Sequence, residues 1–284
     1  MLRSCNLCPR RCGADRLSGQ LGTCRIGSEA VVSSYGPHFG EERPLVGAHG
    51  SGTIFLTGCN LRCIFCQNYD ISQLAYGEAV PTDRIARMMI SLQERGCHNI
   101  NFVTPTHQLP QILDVLVKAV SLGLRLPIVY NCGGYESLEA LRLLDDIVDI
   151  YMPDMKYGSN EPGAQLSGVT DYWDRNREAV REMHRQVGDL EMANISEGGR
   201  RFEVAVRGLL VRHLVLPRGL AHTREVVRFL ADQISKDTYI NIMDQYRPCF
   251  RAVGHEIIGR PITSSEYAEA VRLAQEVGLW RFAE

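Results

Sequence analysis

The chain is poor in tryptophan, with two in 284 residues, and only 7% of it is aromatic. It also has no uninterrupted apolar run of membrane-spanning length. Charge breaks each long hydrophobic stretch, as Arg207 and Arg212 do within VAVRGLLVRHLVLP, so no membrane association is expected. The N-terminus, MLRSCNLCPRRCGADR, contains no apolar segment of signal-peptide length, and a cytoplasmic location is the expectation. An excess of one charge sign is missing as well. A formal net charge of -2 offers no broad attraction for nucleic acid or an anionic membrane, and no nucleic-acid partner is expected. There is no tandem repeat, and the one conspicuously polar tract, NISEGGRR at 194–201, reads as an exposed insertion.

What is present is an ordinary globular composition, 45% hydrophobic and 23% charged, on a length that suits one large α/β domain with a small appendage. Strands are expected at 53–58 (TIFLTG), 99–104 (NINFVT), 127–131 (PIVYN), 147–152 (IVDIYM), 209–217 (LLVRHLVLP) and 238–243 (TYINIM). Amphipathic segments alternate with them. TDRIARMMISLQERG carries Ile85, Met88, Met89 and Leu92 on one face and closes at Gly96, and five further windows follow the same plan. Strand–helix units in series imply a parallel sheet with right-handed crossovers, and a partial (β/α)6 TIM-like barrel is the natural architecture over residues 51–284. An open doubly wound sheet is the competing arrangement, because strand order is not written in the pattern. Residues 1–50, rich in Gly, Cys and Arg, read as a Cys-rich metal-binding segment.

Ten cysteines in a chain of this length point to metal binding in a reducing compartment more than to a disulfide scaffold, since seven of them fall in two tight groups. Cys59, Cys63 and Cys66 follow directly on the first expected strand, at the barrel end where sites are built. Three thiolates can hold three irons of a cubane cluster and leave the fourth iron open. A zinc site completed by His49 or another distant residue is the alternative. Cys5, Cys8, Cys12 and Cys24 make a full ligand set, suited to a second iron–sulfur cluster or a structural zinc, with disulfides a weaker third option. Cys97, Cys132 and Cys249 have no neighbouring thiol, and of these only Cys132 falls at the expected barrel mouth.

The run Cys59-Asn60-Leu61-Arg62-Cys63-Ile64-Phe65-Cys66 resembles the CxxxCxΦC signature of radical S-adenosylmethionine (SAM) enzymes, with Phe65 as the aromatic residue before the last thiol. The likeness continues through CQNYDIS, NFVTPTHQLPQIL, YNCGGYE, YMPDMKY, VRHLVLP and IMDQYRP, and is similar to the pyruvate formate-lyase activating enzyme-like (PflX-like) subgroup. It implies a [4Fe-4S] cluster on Cys59, Cys63 and Cys66 and SAM chelated to the open iron. One-electron cleavage of SAM to a 5′-deoxyadenosyl radical follows, with a reductant such as flavodoxin or ferredoxin and a protein substrate activated at a glycyl radical. An iron–sulfur electron-transfer or binding module on the same scaffold is the reading from a different class.

The resemblance also singles out supporting residues. Asp154 and Lys156, in YMPDMKY, match a D-x-K that would contact the polar groups of SAM, whereas a bare sequence reading also allows a solvated surface pair. Asn131 would hydrogen-bond SAM or serve an ordinary strand-ending turn. His213 would reach SAM if it faces inward, or else pack in the core. Thr104-Pro105-Thr106-His107 stands where many relatives carry Gly-Gly-Glu, so Thr104 is the candidate acceptor for the amino group of SAM, and His107 is either substrate-facing or structural.

Overall fold

A computed structural model describes residues 1–283. Residues 1–30 form an irregular segment with one 3-10 turn, and the sheet begins with β1 (Val31–His38). There follow α1 (Arg43–Val46), β2 (Ser51–Leu56), α2 (Tyr69–Ser72), β3 (Glu78–Ala79), α3 (Thr82–Glu94), β4 (Ile100–Val103), α4 (Leu109–Ser121), β5 (Ile128–Cys132), α5 (Leu138–Arg142) and β6 (Ile150–Pro153). The chain continues with α6 (Asn160–Ser167), α7 (Tyr172–Val187), β7 (Glu191–Glu197), β8 (Arg200–Leu214), α8 (Thr223–Gln233), β9 (Tyr239–Met243) and α9 (Ser264–Glu276).

Strands β2, β4, β5, β6, β8 and β9 neighbour one another in chain order, and every pairing among them is parallel. Strand order therefore never reverses. A doubly wound sheet requires such a reversal, so the architecture is the partial barrel. Both sheet faces are covered, which explains the near-continuous apolar strands. Outside, α3 packs Ile85, Ala86, Met88, Met89 and Leu92 onto the sheet. Inside, Val129, Ile150, Met152 and Leu210 meet Leu45 of α1, which plugs the lower end of the barrel.

Three features depart from the expectation. The boundary at residue 50 falls between two paired strands: β1 lies antiparallel on β2, with Tyr35 opposite Ile54 and Pro37 opposite Gly52. Gly36 and Pro37 make this stretch look like a loop, but β3 pairs only with Val31 and Val32, so the missing N–H of Pro37 faces a free edge. The polar tract 194–201 is exposed, yet it is ordered as the β7–β8 hairpin. Gly198 and Gly199 turn it with φ of 55° and 77°, the paired positive values of a two-residue type I′ connection. Helix α6 was not expected, because Pro162 and Gly163 interrupt the pattern. Pro162 sits in the first turn, where its missing donor costs nothing, and a Cβ on Gly163 would stand 2.7 Å from Tyr172 Cβ.

Since Leu45 is fully buried in the inner core, Leu45→Ala should lower stability by about 2–5 kcal/mol, read by urea unfolding. An independent appendage would leave the barrel transition unmoved.

Candidate active site

The loop 57–68 leaves the top of β2 and is held from several sides. Arg62 N–H donates to Ser167 O (3.0 Å) and Ile64 N–H to Leu166 O (2.9 Å), so α6 is one support. Asn60, buried, donates through Nδ2 to Tyr135 O (2.7 Å). The irregular N-terminal segment is the other support: Arg10 Nε donates to Asn60 O and Arg62 Nη2 to Thr23 O. Gly58 has φ +81°, and a Cβ there would stand 2.5 Å from Cys24 O, so only glycine lets the two segments meet.

Cys59, Cys63 and Cys66 are free thiols lining one cavity of about 380 Å³. Each sulfur has a polar neighbour. Leu61 N–H donates to Cys59 Sγ (3.3 Å), while Cys63 Sγ lies 3.0 Å from Ser167 Oγ and Cys66 Sγ 3.1 Å from Ser72 Oγ. Burial raises the Cys59 and Cys63 thiols; Lys156 pulls Cys63 the other way. Phe65 is buried against Tyr157 and Tyr246, with ring centroids 6.5 and 6.0 Å away, and its edge reaches the same cavity.

The opposite wall comes from the upper ends of β4, β5, β6 and β8. Asp154 accepts from Lys156 Nζ (2.5 Å) and from Arg212 Nε (2.9 Å), while Arg212 Nη2 donates to Asn131 Oδ1 (2.8 Å). The Asp154 and Lys156 side chains are 14% and 18% exposed, which removes the solvated-pair reading. Burial raises the Asp154 carboxyl, but Arg212 and then Lys156 overcome it, and the net direction is down. Burial lowers Lys156, and the charge of Asp154 more than offsets it, so that ammonium is held protonated. Thr104 also faces the cavity, at φ +61°, a strained conformation for a β-branched residue, with its N–H donating to Asn131 O (2.8 Å).

His213 does not line the cavity. Its ring is fully buried behind the strand, with Nδ1 2.6 Å from Met155 O and Nε2 2.9 Å from Thr223 Oγ1, and burial depresses it to about 4. Strand alternation puts Arg212, one residue earlier, inside instead. That residue was missed, although a lone arginine in an apolar strand was the visible signal. Glu41, from the loop before α1, was missed too and lines the cavity, with Oε2 3.8 Å from Arg212 Nη1. Cys132 lies in the cavity wall. His107 is a structural residue, fully buried with Nε2 2.7 Å from Thr57 O. His49 precedes β2 and pairs with Glu197 of the hairpin, so the six residues of β2 separate it from the thiols.

In the N-terminal segment Cys5, Cys8 and Cys24 are buried, Cys12 is exposed, and all four are free thiols. Arg16 Nη2 donates to Cys24 Sγ (3.3 Å) and its Nη1 to His107 O (2.6 Å), which ties the group to the barrel. Burial raises the Cys12 thiol, but the backbone of Ala14 and Thr23, with Cys5 and Arg16, brings it below its ordinary value. Among the described residues no three His, Cys, Asp or Glu side chains close on the position of a single metal ion. The donor set at Cys59, Cys63 and Cys66 fits a cluster that brings its own sulfides: soft sulfur ligands, a polar group at each, and room beside them. Two roomier surface grooves, about 560 Å³ between α8 and α9 and about 750 Å³ along β1, are lined by no thiol. No helix among the described residues is long and apolar enough to cross a membrane.

A family model described as the radical SAM superfamily matches residues 53–195. An uncharacterized protein of Methanocaldococcus jannaschii is 33% identical over 288 residues, covering 98% of this chain and 76% of that one. Among solved structures, a radical SAM methyltransferase from Sphaerobacter thermophilus is similar with TM-score 0.51 and 13% identity, covering 81% of this chain and 66% of that one. Streptococcus suis SuiB bound to precursor peptide SuiA gives 0.52 and 14%, over 79% and 46%. HydG, a maturase of the [FeFe]-hydrogenase, gives 0.54 and 11%, over 80% and 49%. At these identities the likeness is one of fold, and the chain spans between 46% and 66% of the solved chains.

The buried carboxyl of Glu136, behind this wall, accepts from Thr106 Oγ1 (2.7 Å) and Tyr130 OH (3.2 Å). Burial pushes it from 4.5 up to about 7, against the pull of those hydrogen bonds. The folded protein then keeps a proton that the unfolded chain releases, so the contribution of this group to stability is fully present below pH 4.5 and declines by about 3 kcal/mol as the pH rises to about 7. Glu136→Gln should remove about one proton's worth of that slope in urea unfolding between pH 5 and 7, and an unchanged slope would contradict the assignment.

Proposed function

The chain belongs to the radical SAM superfamily, and from that premise we propose that it cleaves SAM reductively at a [4Fe-4S] cluster on Cys59, Cys63 and Cys66 and directs the resulting hydrogen-atom abstraction to a protein or peptide. The family implies both the cluster and SAM. The observation that carries the reading is one cavity in which three free thiols face the Asp154, Lys156, Arg212 and Asn131 network. When bound, cluster and SAM supply one-electron cleavage of a sulfonium bond; the protein supplies orientation and exclusion of water.

In this reading Lys156 pairs with the carboxylate of SAM, and Asp154 complements its positive charge. Arg212 fixes the Asp154 rotamer and turns Asn131 toward the cavity, and the carbonyls and hydroxyl at Thr104 accept from the ammonium. Phe65 packs the loop. His213 acts at one remove, because its bond to Met155 O holds the peptide between Asp154 and Lys156. Cys5, Cys8, Cys12 and Cys24 hold a second metal centre, an iron–sulfur cluster or zinc, that lets a segment with little core of its own pack on the cluster loop. A reductant such as flavodoxin or ferredoxin supplies the electron, in the cytoplasm. Within the superfamily the pyruvate formate-lyase activating enzyme-like subgroup is the favoured placement, with activation of a protein as a glycyl radical. The peptide bound to SuiB, a protein of the same fold, is consistent with a peptide or protein substrate.

Anaerobically reconstituted, dithionite-reduced protein should convert SAM to methionine and 5′-deoxyadenosine, and Cys63→Ala should abolish the product. Equal product from both would sink the reading. Asp154→Asn should keep its iron and absorption while binding SAM at least about tenfold more weakly, roughly 1.4 kcal/mol; an electron-transfer module would show no response of its EPR signal to SAM in either protein. Total metal separates the N-terminal options, with about eight irons per chain for two clusters, or about four irons and one zinc.

A further inference from the structure

The N-terminal segment buries a charge that no carboxylate answers. Arg16, in the 3-10 turn of that segment, is 2% exposed, and among the described residues no acidic side chain forms an ion pair with it. Its guanidinium donates from Nη1 to the carbonyl of His107 (2.6 Å) and from Nη2 to Cys24 Sγ (3.3 Å), while Nε has no partner. Glu136 acts on the neighbouring Cys8, yet its carboxyl is bonded by Thr106 and Tyr130 and not by Arg16. A guanidinium does not give up its proton inside a protein, so burying one without an opposite charge is unfavourable. The opposite charge has to come from what Arg16 touches.

What it touches is a group of four thiols. Cys24 meets Nη2, the charge of Arg16 also reaches Cys12, Cys5 hydrogen-bonds Cys12, and Cys8 lies within the influence of both Cys5 and Cys24. Backbone donors gather on the same sulfurs. The N–H groups of Arg10, Ala14 and Ile26 serve Cys8, Cys12 and Cys24, each from two residues further on, as Leu61 N–H serves Cys59 in the thiol loop. A neutral thiol is a weak acceptor, and a thiolate accepts such bonds far better. Gly22 keeps the approach open: a Cβ there would stand 3.1 Å from both Arg16 Nη2 and Cys24 Sγ, closer than side chains normally come.

We propose that Cys5, Cys8, Cys12 and Cys24 hold their metal as thiolates in a centre of net negative charge, and that Arg16 is its buried counter-ion. Four thiolates around a zinc ion or a [4Fe-4S] core leave such an excess, because the metal unit carries fewer positive charges than its ligands carry negative ones. Disulfides or free thiols would leave Arg16 unanswered. The assignment rests on the second metal centre proposed above and adds what that reading leaves open, the charge of the centre and the residue that balances it. The same guanidinium ties the centre to the catalytic loop, since His107, whose carbonyl it holds, has Nε2 2.7 Å from Thr57 O.

The full chain carrying Cys59→Ala, Cys63→Ala and Cys66→Ala isolates this centre, so that the metal kept after anaerobic reconstitution is its own. About four irons with as many sulfides, or about one zinc, should remain per chain. Iodoacetamide should spare the exposed Cys12 until that metal is stripped. In the same chain Arg16→Met should hold the metal about tenfold or more weakly against a chelator, the scale on which groups bonded to metal ligands act, and Arg16→Lys should hold it better than Arg16→Met. Chelator competition unchanged in Arg16→Met overturns the counter-ion and leaves the metal centre standing. No bound metal, or alkylation of Cys12 with the metal in place, overturns both. A lysine variant no better than the methionine variant, in folding or in metal retention, also overturns the assignment, because charge would not be what the position requires; a lysine variant that folds and keeps metal where the methionine variant does not fold supports it. SAM cleavage is read separately in wild-type protein, so its failure would sink the proposed activity without touching these outcomes.

Discussion

The guanidinium of Arg212 is the contact on which the site depends. It sits inside a partial barrel, bonds Asp154 just past β6 and Asn131 from β5, and faces Glu41 from the loop before α1. Burying a guanidinium carries a desolvation penalty of several kcal/mol, and only close carboxylates and well-placed acceptors repay it. Asp154 meets that need from one side and Lys156 then closes on Asp154. The resulting chain of opposite charges gives each polar side chain of the wall one rotamer. A planar guanidinium can bridge three partners in this way; a lysine ammonium at the same place would lack the fork geometry.

The second constraint is the suspension of the thiol loop. The loop of residues 57–68 buries Leu61 and Phe65 in an apolar cluster with Tyr157, Leu166 and Tyr246, and its backbone is held by others: α6 supplies backbone acceptors for Arg62 and Ile64, and the N-terminal segment supplies Arg10 and the carbonyl of Thr23. The contact at Gly58 is close enough that a side chain would part the two segments. The N-terminal cysteines and the loop cysteines are thus mechanically joined. Loosening of the first segment should be felt at the second through Arg62, which sits between Asn60 and Cys63 and spans both.

Strain and burial fall where the chemistry is assigned. Thr104 holds a positive φ at the top of β4, in the wall of the cavity that the thiols also line, and Glu41 shares that wall with its carboxylate 3.8 Å from Arg212. Native proteins tolerate such features where surrounding structure over-determines them, and a rigid parallel barrel does so. His213 illustrates the converse. A histidine in a strand beside a site looks like a ligand, yet both ring nitrogens are engaged, and its contribution is to the backbone between Asp154 and Lys156.

The sequence by itself determined the alternation of strands and helices, the parallel sheet, the three-thiol loop after its first parallel strand, and the D-x-K turn, because each is written in spacing along a few consecutive residues. Periodicity and cysteine spacing are local properties, and local patterns survive without knowledge of neighbours. Tertiary structure decided the rest. It set the strand order that makes a barrel, the joining of Val31–His38 to the sheet across the expected boundary, and the support of the loop by α6. It also chose Arg212 over His213 as the inward residue and brought Glu41 opposite Arg212, more than a hundred residues later in the chain. These depend on which way a side chain faces and what charge waits opposite it. That is a matter of register and burial between distant segments, and no window of the sequence contains both partners.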